Sequence, residues 1–309
     1  MRRFIYPKEH FIEKENPEPG CWLKVVCPTQ AELDYLIDDI GIPESFISDT
    51  ADTDERPRME DEDGWDLTII RVPVKTQRED SVPYNTIPVG IIYSEERDLT
   101  VTISYHRTEF MQDFIDHNRR KRIEITTESD FILRLILTSA VWFLKYIKQI
   151  STLVMEAEEA LEKSIRNEDL LQMMKLQKTL VYFNTAIRGN ESVMGKLKAQ
   201  RYRDYDADLA EDVAIELNQA YNMVNVYSDI LTGTMDAFAS IISNNVNTIM
   251  KRMTSISIVL MLPTMIASFY GMNMKLAFAD QPWAFVLVLA FSLALSVGAF
   301  FFFKRIRWF

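Results

Sequence analysis

The chain has 309 residues, of which 48% are hydrophobic and 26% are charged. This composition excludes a disordered or collagen-like protein, and the length suffices for one large domain or two ordinary ones. The formal net charge of −11 argues against a nucleic-acid partner, because nucleic-acid binding requires a basic surface. The mean hydropathy of −0.08 is that of an ordinary soluble protein, but it averages over two very different parts.

The first 127 residues predict a mixed α/β domain. The acidic run at residues 49–63 does not have the spacing of an EF-hand loop and predicts a solvated acidic turn. Strand-like runs occupy residues 21–27, 65–75, 87–94 and 99–105, and helical patterns occupy residues 31–40, which Gly41 ends, and 107–117.

The pattern then becomes purely helical. Residues 128–166 and 168–200 predict two helices that break near Asn167, and residues 204–271 predict one continuous helix. At 1.5 Å per residue this last helix would be roughly 100 Å long. A helix of that length needs neighbours along its surface, and one chain offers few. The pattern therefore indicates an oligomer.

Two segments near the C-terminus are free of charge, residues 253–274 and 281–303. Each exceeds the roughly 20 helical residues that cross a bilayer. Residues 251–309 contain six basic residues and one acid, which gives +5 and leaves −16 for the rest. Because basic residues flank the spans on one side, both termini are expected in the cytoplasm. Residues 1–10 contain no apolar run typical of a signal peptide.

A polar stripe follows the helix that enters the membrane. Its residues alternate at spacings of three and four, and they are small, polar or Met where a soluble coiled coil would carry Leu and Ile. One interpretation is a close-packed seam of small residues; the other is a pore lined by several subunits. The stripe consists of Asn247, Met250, Thr254, Ser257, Met261, Thr264, Ser268 and Gly271.

The stripe ends at Tyr270-Gly271-Met272-Asn273, ahead of a short loop, a final apolar helix and a basic tail. Here the chain resembles the CorA family of divalent-cation transporters, whose signature is Gly-Met-Asn at the end of the first of two C-terminal spans. The resemblance covers the whole chain. It implies a funnel-shaped homopentamer: an α+β cytoplasmic domain, a long helical stalk and two transmembrane helices, with a single axial pore lined by the first span.

The resemblance also assigns pore residues. Asn273 would form a ring at the outer mouth and bind the hydrated ion through its amide, although an Asn there could also be a helix C-cap. The basic tail residues would surround the inner mouth, or simply anchor the span on its cytoplasmic side. The implied pore-lining residues are Asn247, Met250, Met253, Thr254, Ser257, Met261, Thr264 and Ser268, with Asp236, Lys304, Arg305 and Arg307 at the cytoplasmic mouth.

Two carboxylates match positions at which the family senses internal Mg²⁺ between subunits. The first, Asp49, lies in a segment resembling the family's, between Gly41-Ile42-Pro43 and Arg56-Pro57-Arg58. The second, Asp212, lies on the stalk helix. The alternatives are a solvated surface charge for either residue and a helix N-cap for Asp49.

The resulting expectation is a Mg²⁺ influx channel of the inner or plasma membrane, driven by the membrane potential, gated by internal Mg²⁺, and neither an enzyme nor a binder of organic cofactors. The alternatives are a Zn²⁺, Co²⁺ or Ni²⁺ transporter on the same scaffold, and a non-conducting membrane-anchored coiled-coil scaffold or sensor. The expected boundaries are 1–127 (α/β domain), 128–203 (antiparallel helices), 204–273 (stalk and pore helix), 274–282 (external loop), 283–303 (second span) and 304–309 (basic tail).

Overall fold

The computed structural model describes residues 2–14, 18–76, 82–163, 166–200, 204–272 and 283–308. They form two compact units, Met1–Gly233 and Thr234–Phe309. The helices are α1 (Gln30–Asp34), which continues as a π-helical turn (Tyr35–Asp39), α2 (Glu44–Ala51), α3 (Phe110–Arg120), α4 (Glu128–Lys163), α5 (Asn167–Ala199), α6 (Ala207–Tyr270) and α7 (Ala284–Arg305).

The first unit is built on a mixed β-sheet. Its strands are β1 (Arg2–Tyr6), β2 (Ile12–Lys14), β3 (Cys21–Val26), β4 (Arg58–Glu62), β5 (Trp65–Lys75), β6 (Tyr84–Ser94) and β7 (Leu99–Ser104). Their order in the sheet is β2-β1-β3-β7-β6-β5-β4. Strands β3 and β7 pair in parallel, with Leu23 opposite Val101, and the other neighbouring pairs are antiparallel. Strands β4 to β7 therefore form a meander that the parallel pair joins to the rest of the sheet.

Helices pack on both faces of this sheet because side chains alternate along its strands. On β3, Leu23 joins a buried cluster with Phe46 of α2. The next side chain, Trp22, points to the opposite face, where its ring lies 5.7 Å from Phe114 of α3 and 5.1 Å from Phe131 of α4. A strand buried on both faces reads as a continuous apolar run, which is why residues 21–27 are recognisable in the sequence.

Most of the predicted elements are confirmed. Strand β5 has the predicted bounds, β3 and β7 each end one residue early, and α3 lies three residues later than predicted. Gly41 has a φ of +79° and ends the first helical segment, as predicted. The prediction missed β1, β2, α2 and β4.

The prediction of an acidic turn at residues 49–63 is wrong for most of its length. Its first residues complete α2, and its last residues form β4. Strand β4 pairs antiparallel with β5, which begins at Trp65. Strand β4 is the edge of the sheet and consists of Arg-Met-Glu-Asp-Glu, with its three acids exposed. Charged side chains at an edge strand hinder pairing with other molecules, and they also conceal the strand from a pattern search. Turns remain at Thr53 and Asp54 and at Asp63 and Gly64, the latter two with positive φ.

The segment between α2 and β4 is fixed to the sheet and to α5. The guanidinium of Arg71 donates to the carbonyl oxygens of Thr53 at 3.0 Å and Glu55 at 2.8 Å. The backbone of Arg71 is held in turn by the fully buried Asn190 of α5. The Oδ1 of Asn190 accepts from the Arg71 N–H at 2.9 Å, and its Nδ2 donates to the Arg71 carbonyl at 2.8 Å. Two side chains thus hold a loop that has no regular structure of its own.

Helix α5 approaches the same loop closely at Gly189. A Cβ added at Gly189 would lie 2.5 Å from Cγ of Pro57, closer than real Cβ contacts. A Cβ added at Gly195, two turns along α5, would meet nothing within 4 Å. The absence of a side chain is therefore required by packing at the first glycine and not at the second.

Helix α6 runs antiparallel to α5 along a polar contact. Gln177 donates to Thr232 at 3.1 Å, Asn184 donates to Asn225 at 2.7 Å, and Arg188 donates to the hydroxyl of Tyr221. The residue numbers of each pair add to the same total, as a straight antiparallel ladder requires. We call these three pairs the α5–α6 ladder. By contrast, α4 and α5 meet through buried aromatic rings, Phe143 and Phe183, at 5.0 Å.

The two glycines of α5 provide a matched stability test. Gly189→Ala should destabilise the protein, because displacing Pro57 costs about 1–3 kcal/mol and exceeds the gain of about 1 kcal/mol in helix propensity. Gly195→Ala should stabilise it by about 0.5–1 kcal/mol. Thermal unfolding of the purified full chain in detergent measures both. Equal shifts in the two variants would contradict the close packing of α5 on the loop.

Candidate functional site

In the second unit, one face of α6 is more covered than the others, and part of it lies beside α7. The covered residues, Ser255, Val259, Leu262 and Ile266, recur at intervals of three and four, and Ser255 is fully buried. Ile266 lines an apolar cavity of about 230 Å³ together with residues of α7 such as Leu287. The side chains of α7 that are buried in this unit include Ala284 and Ser292, so small residues let the two helices approach.

The predicted polar stripe lies on a different face of α6, which α7 leaves uncovered. Its two methionines are 61% (Met250) and 65% (Met261) exposed, and Met253, a further pore-lining residue implied by the resemblance, is 64% exposed. Within one chain, the stripe is therefore not the packing seam between the two membrane helices. The other stripe residues, Asn247, Thr254, Ser257, Thr264 and Ser268, are likewise exposed.

Hydroxyl groups on the stripe are oriented by their own helix. The Ser257 hydroxyl donates to the Met253 carbonyl at 2.9 Å, and the Thr264 hydroxyl donates to the Leu260 carbonyl at 3.1 Å. A hydroxyl that donates inward keeps its oxygen lone pairs free to accept from water or to approach a cation. Pro263 lies between them inside α6 and has no N–H for the carbonyl one turn back. In a membrane, such backbone groups persist where protein or water satisfies them.

The signature motif follows directly on α6. The helix ends at Tyr270, and the Gly271 N–H still donates to the Ala267 carbonyl at 3.0 Å. A Cβ at Gly271 would lie 3.4 Å from that oxygen, an ordinary contact, and its φ is not left-handed. Among the described residues, no contact thus requires a glycine there. Met272 is half-exposed, and Asn273 lies outside the described residues.

The residues predicted at the cytoplasmic mouth belong to the second unit and are exposed. Asp236 lies on α6, and Lys304 and Arg305 form the last turn of α7. Arg307 follows in a left-handed conformation. Positive side chains at the end of α7 also interact favourably with its negative C-terminal dipole.

Asp49 lies in the last turn of α2, so it is not the helix N-cap that the sequence left open. Its carboxylate accepts a hydrogen bond of 2.6 Å from the guanidinium of Arg58 on β4. The same guanidinium contacts the carboxylates of Glu55 at 2.8 Å and Glu60 at 3.0 Å. Asp49 and Arg58 are 29% and 32% exposed, so this ion pair is partly shielded from water.

The environment of Asp49 disfavours its negative charge despite this ion pair. Partial burial raises the pKa of the Asp49 carboxyl, and the neighbouring carboxylates of Glu55 and Glu60 act in the same direction. Arg58 opposes both effects without reversing them. The C-terminal end of α2 adds unfavourable dipole charge. An additional cation at this carboxylate would therefore be stabilising.

Asp212 lies on α6 in a different part of the first unit. It is exposed and lines a cavity of about 350 Å³ with residues of α3 and α4 that include His117, Lys121 and Arg134. Burial lowers the pKa of His117, and Lys121 adds to this effect, so His117 is neutral at pH 7. The cationic side chains that line this cavity with Asp212 are then those of Lys121 and Arg134.

One chain does not bring the two predicted regulatory carboxylates together. Asp49 pairs with Arg58, whereas the cavity beside Asp212 is lined by α3, α4 and α6. Over the described residues, no group of three or more His, Cys, Asp or Glu side chains is arranged to hold a metal ion. Arg58 belongs to a motif that is visible in the sequence, but its contact with Asp49 was not predicted. The structural roles of Arg71 and Asn190 were not predicted either.

The comparisons with known proteins identify the family. Residues 18–305 match the family described as CorA-like Mg²⁺ transporter protein. The chain belongs to the CorA family. A relative from Methanocaldococcus jannaschii, named cobalt/magnesium transport protein CorA, is 28% identical over 295 residues, which are 93% of this chain and 90% of the relative. A relative of the same name from Thermotoga maritima is 28% identical over 159 residues, 49% of this chain and 44% of the relative.

A solved structure agrees over the full length. The complete structure of the CorA magnesium transporter from M. jannaschii matches with a TM-score of 0.83 at 23% identity, covering 100% of this chain and 99% of that chain. The predicted CorA resemblance is thereby confirmed, as is the fold: a mixed α/β N-terminal part, a long helix and two apolar C-terminal helices. Helices α6 and α7 each contain an apolar window long enough to span a membrane. CorA proteins are membrane transporters and not enzymes, as expected from the sequence.

Proposed function

We propose that this CorA protein is a homopentameric channel for Mg²⁺ influx, with the polar and Met stripe of α6 lining its pore. The observation that carries the proposal is the uncovered stripe. Polar groups facing lipid cost several kcal/mol each, and α7 covers a different face of α6. Stripes from several subunits around one axis would cover each other and enclose water, and the Met rings at Met250 and Met253 would form the constriction.

The ring at the outer mouth would consist of Asn273 amides, with Gly271 and Met272 beside them. A neutral amide oxygen accepts hydrogen bonds from the first-shell water of an ion that dehydrates reluctantly, as Mg²⁺ does. A carboxylate ring would bind the ion more tightly and release it more slowly. Both relatives are named cobalt/magnesium transport proteins, which supports Co²⁺ as a second transported ion.

The membrane potential would drive the ion inward. With Lys251, Arg252 and the basic tail on the cytoplasmic side, both termini lie in the cytoplasm of an inner or plasma membrane. A divalent ion moving inward gains about 4.6 kcal/mol per 100 mV, since each charge gains about 2.3 kcal/mol. Asp236, Lys304, Arg305 and Arg307 would set the potential at the exit.

Regulation would use Asp49 of one subunit and Asp212 of its neighbour. Two carboxylates that face each other repel until a divalent cation bridges them, so Mg²⁺ binding would favour the docked and closed assembly. The raised pKa of Asp49 supports this role, because a carboxylate in a disfavoured environment gains from a cation. Mg²⁺ would thus be both the transported ion and the regulatory ligand.

A transporter for another divalent ion and a non-conducting scaffold protein predict different ion fluxes. A Zn²⁺, Co²⁺ or Ni²⁺ transporter would share the pore but select another ion, and the intact Met272 favours Mg²⁺. A non-conducting membrane scaffold would pass no ion, and it leaves the uncovered stripe without a purpose.

Ion flux into proteoliposomes tests the selectivity filter. The wild-type protein should take up Mg²⁺, and Asn273→Ala should reduce the initial rate about tenfold or more, as expected for about 1.4 kcal/mol of lost barrier stabilisation. Asn222→Ala on α6, outside the stripe, serves as the matched control and should transport normally. Uptake of Zn²⁺ and Co²⁺ is measured in parallel. Absence of flux for every divalent ion would contradict the channel, and unchanged flux in Asn273→Ala would contradict the filter.

Two adjacent cysteine substitutions test the pore face. Leu260 and Met261 are equally exposed in one chain, at 66% and 65%. In the assembled membrane protein, Met261→Cys should react with a charged, water-soluble thiol reagent, because its side chain would face the aqueous lumen. Leu260→Cys should not react, since it would face lipid. Both are made with Cys21 and Cys27 replaced by Ser, and equal labelling of the two positions would contradict a pore along the stripe.

A charge reversal tests the regulatory carboxylate on α6. Asp212→Lys should abolish inhibition of the flux by internal Mg²⁺, because an ammonium cannot coordinate the ion. Glu211→Lys, the adjacent exposed position, introduces the same charge change and should leave inhibition intact. Inhibition that persists in Asp212→Lys at wild-type Mg²⁺ concentrations would contradict the role of this residue.

A further inference from the structure

The Asp49 carboxylate already has a cation belonging to its own chain. Arg58 reaches it at 2.6 Å and is held on its other sides by Glu55 at 2.8 Å and Glu60 at 3.0 Å. Hydrogen bonds between ionised groups are short and about twice as strong as neutral ones. The guanidinium therefore neutralises one of the three negative charges, and it does so at the carboxylate that would coordinate a divalent cation.

The position of this guanidinium is built into the fold. Arg58 is the first residue of β4, where it pairs with Ile69 of β5. Glu55, which holds the guanidinium, has its own carbonyl bound by Arg71 at 2.8 Å. Arg71 in turn is held by Asn190. Because both its backbone and its partner are fixed, Arg58 loses little conformational entropy when it pairs with Asp49.

A divalent cation that binds Asp49 is repelled by the positive charge of the Arg58 guanidinium, which already contacts that carboxylate. A cation that coordinates the carboxylate oxygen would lie within about 5 Å of the guanidinium, and like charges at that separation repel each other at a protein surface. Either the guanidinium moves away toward Glu55 and Glu60, or the metal binds more weakly. Both outcomes raise the concentration of metal that is needed.

We propose that Arg58 is a tethered counter-ion that competes with Mg²⁺ for Asp49 and so sets the internal Mg²⁺ concentration at which the channel closes. This inference rests on the proposed regulatory role of Asp49. The guanidinium occupies the carboxylate when Mg²⁺ is scarce and keeps the three acids from repelling one another. When Mg²⁺ is abundant, the ion takes the Asp49 carboxylate and Arg58 stays with Glu55 and Glu60.

The test compares Arg58→Gln with Arg56→Gln in the full-length protein. Arg56 is exposed, and its backbone N–H donates to Glu55 at 3.0 Å, so its substitution removes the same charge close by. Arg58→Gln should lower the internal Mg²⁺ concentration for half-inhibition of flux about fivefold or more, the lower end of usual coupling between two bound species. Arg56→Gln should shift it less than twofold, through general electrostatics alone.

Binding is also measured without transport, as the Mg²⁺-induced rise in unfolding temperature of the detergent-purified protein. At constant ionic strength, Arg58→Gln should start from a lower temperature than wild type and gain more from Mg²⁺, because Mg²⁺ replaces the missing counter-ion. Arg58→Lys keeps one positive charge but lacks the planar fork that contacts Glu55 through Nη1 and both Asp49 and Glu60 through Nη2. It should shift both readouts in the same direction by a smaller amount, and it provides the test if Arg58→Gln does not fold.

Asp49→Ala separates this inference from the proposed function. If Asp49→Ala is inhibited by Mg²⁺ like wild type, the regulatory role of Asp49 is wrong. If Asp49→Ala loses inhibition while Arg58→Gln and Arg58→Lys respond like Arg56→Gln, the regulatory role stands and the counter-ion is overturned. The double variant of Asp49→Ala and Arg58→Gln should behave as Asp49→Ala alone, since Arg58 acts only through that carboxylate.

Discussion

A polar face on a membrane helix must be covered by protein or water rather than by lipid. This constraint decides which face of α6 can contact lipid. The hydroxyls of Ser257 and Thr264 bond to their own helix, which reduces the cost of the stripe without removing it. Helix α7 lies instead beside the opposite face, where Ile266 lines an apolar cavity together with residues of α7. Over the described residues, the single chain therefore leaves a polar face of α6 exposed, and the proposed pentamer would cover that face.

The first unit shows a related principle in a soluble environment, where a charged loop is ordered by a few buried polar groups. Asn190 satisfies both backbone groups of Arg71, and Arg71 satisfies the carbonyls of the loop that follows α2. Buried polar networks of this kind are stable only when every member is satisfied. The loop can consequently carry many acids close together, which an unsupported loop would keep apart by repulsion.

The sequence predicted what depends on periodicity and missed what depends on partners. The long α6 and the apolar α7 are readable because their patterns extend over many turns, and β5 because it is a long run rich in apolar and β-branched residues. Strand β4 was concealed by its charged edge position, and the contact between Asp49 and Arg58 by the loop that separates them in sequence. The role of Asn190 could not be predicted, since a buried Asn in a helix looks like any polar surface residue until its partner strand is known.

The α5–α6 ladder has a consequence for how the long helix can move. Its three pairs are spaced by seven and four residues along both helices, so all three lie on one line of contact. A slide of α6 by one helical turn, about 5.4 Å, would break all three together. Water could replace the two exposed bonds, Gln177–Thr232 and Arg188–Tyr221, at little cost, whereas the Asn184–Asn225 bond is partly buried. The aromatic contact of α4 with α5 has no such substitute. The α5–α6 ladder would thus let α6 shift along α5 by whole helical turns, whereas the buried aromatic contact would hold α4 and α5 in place.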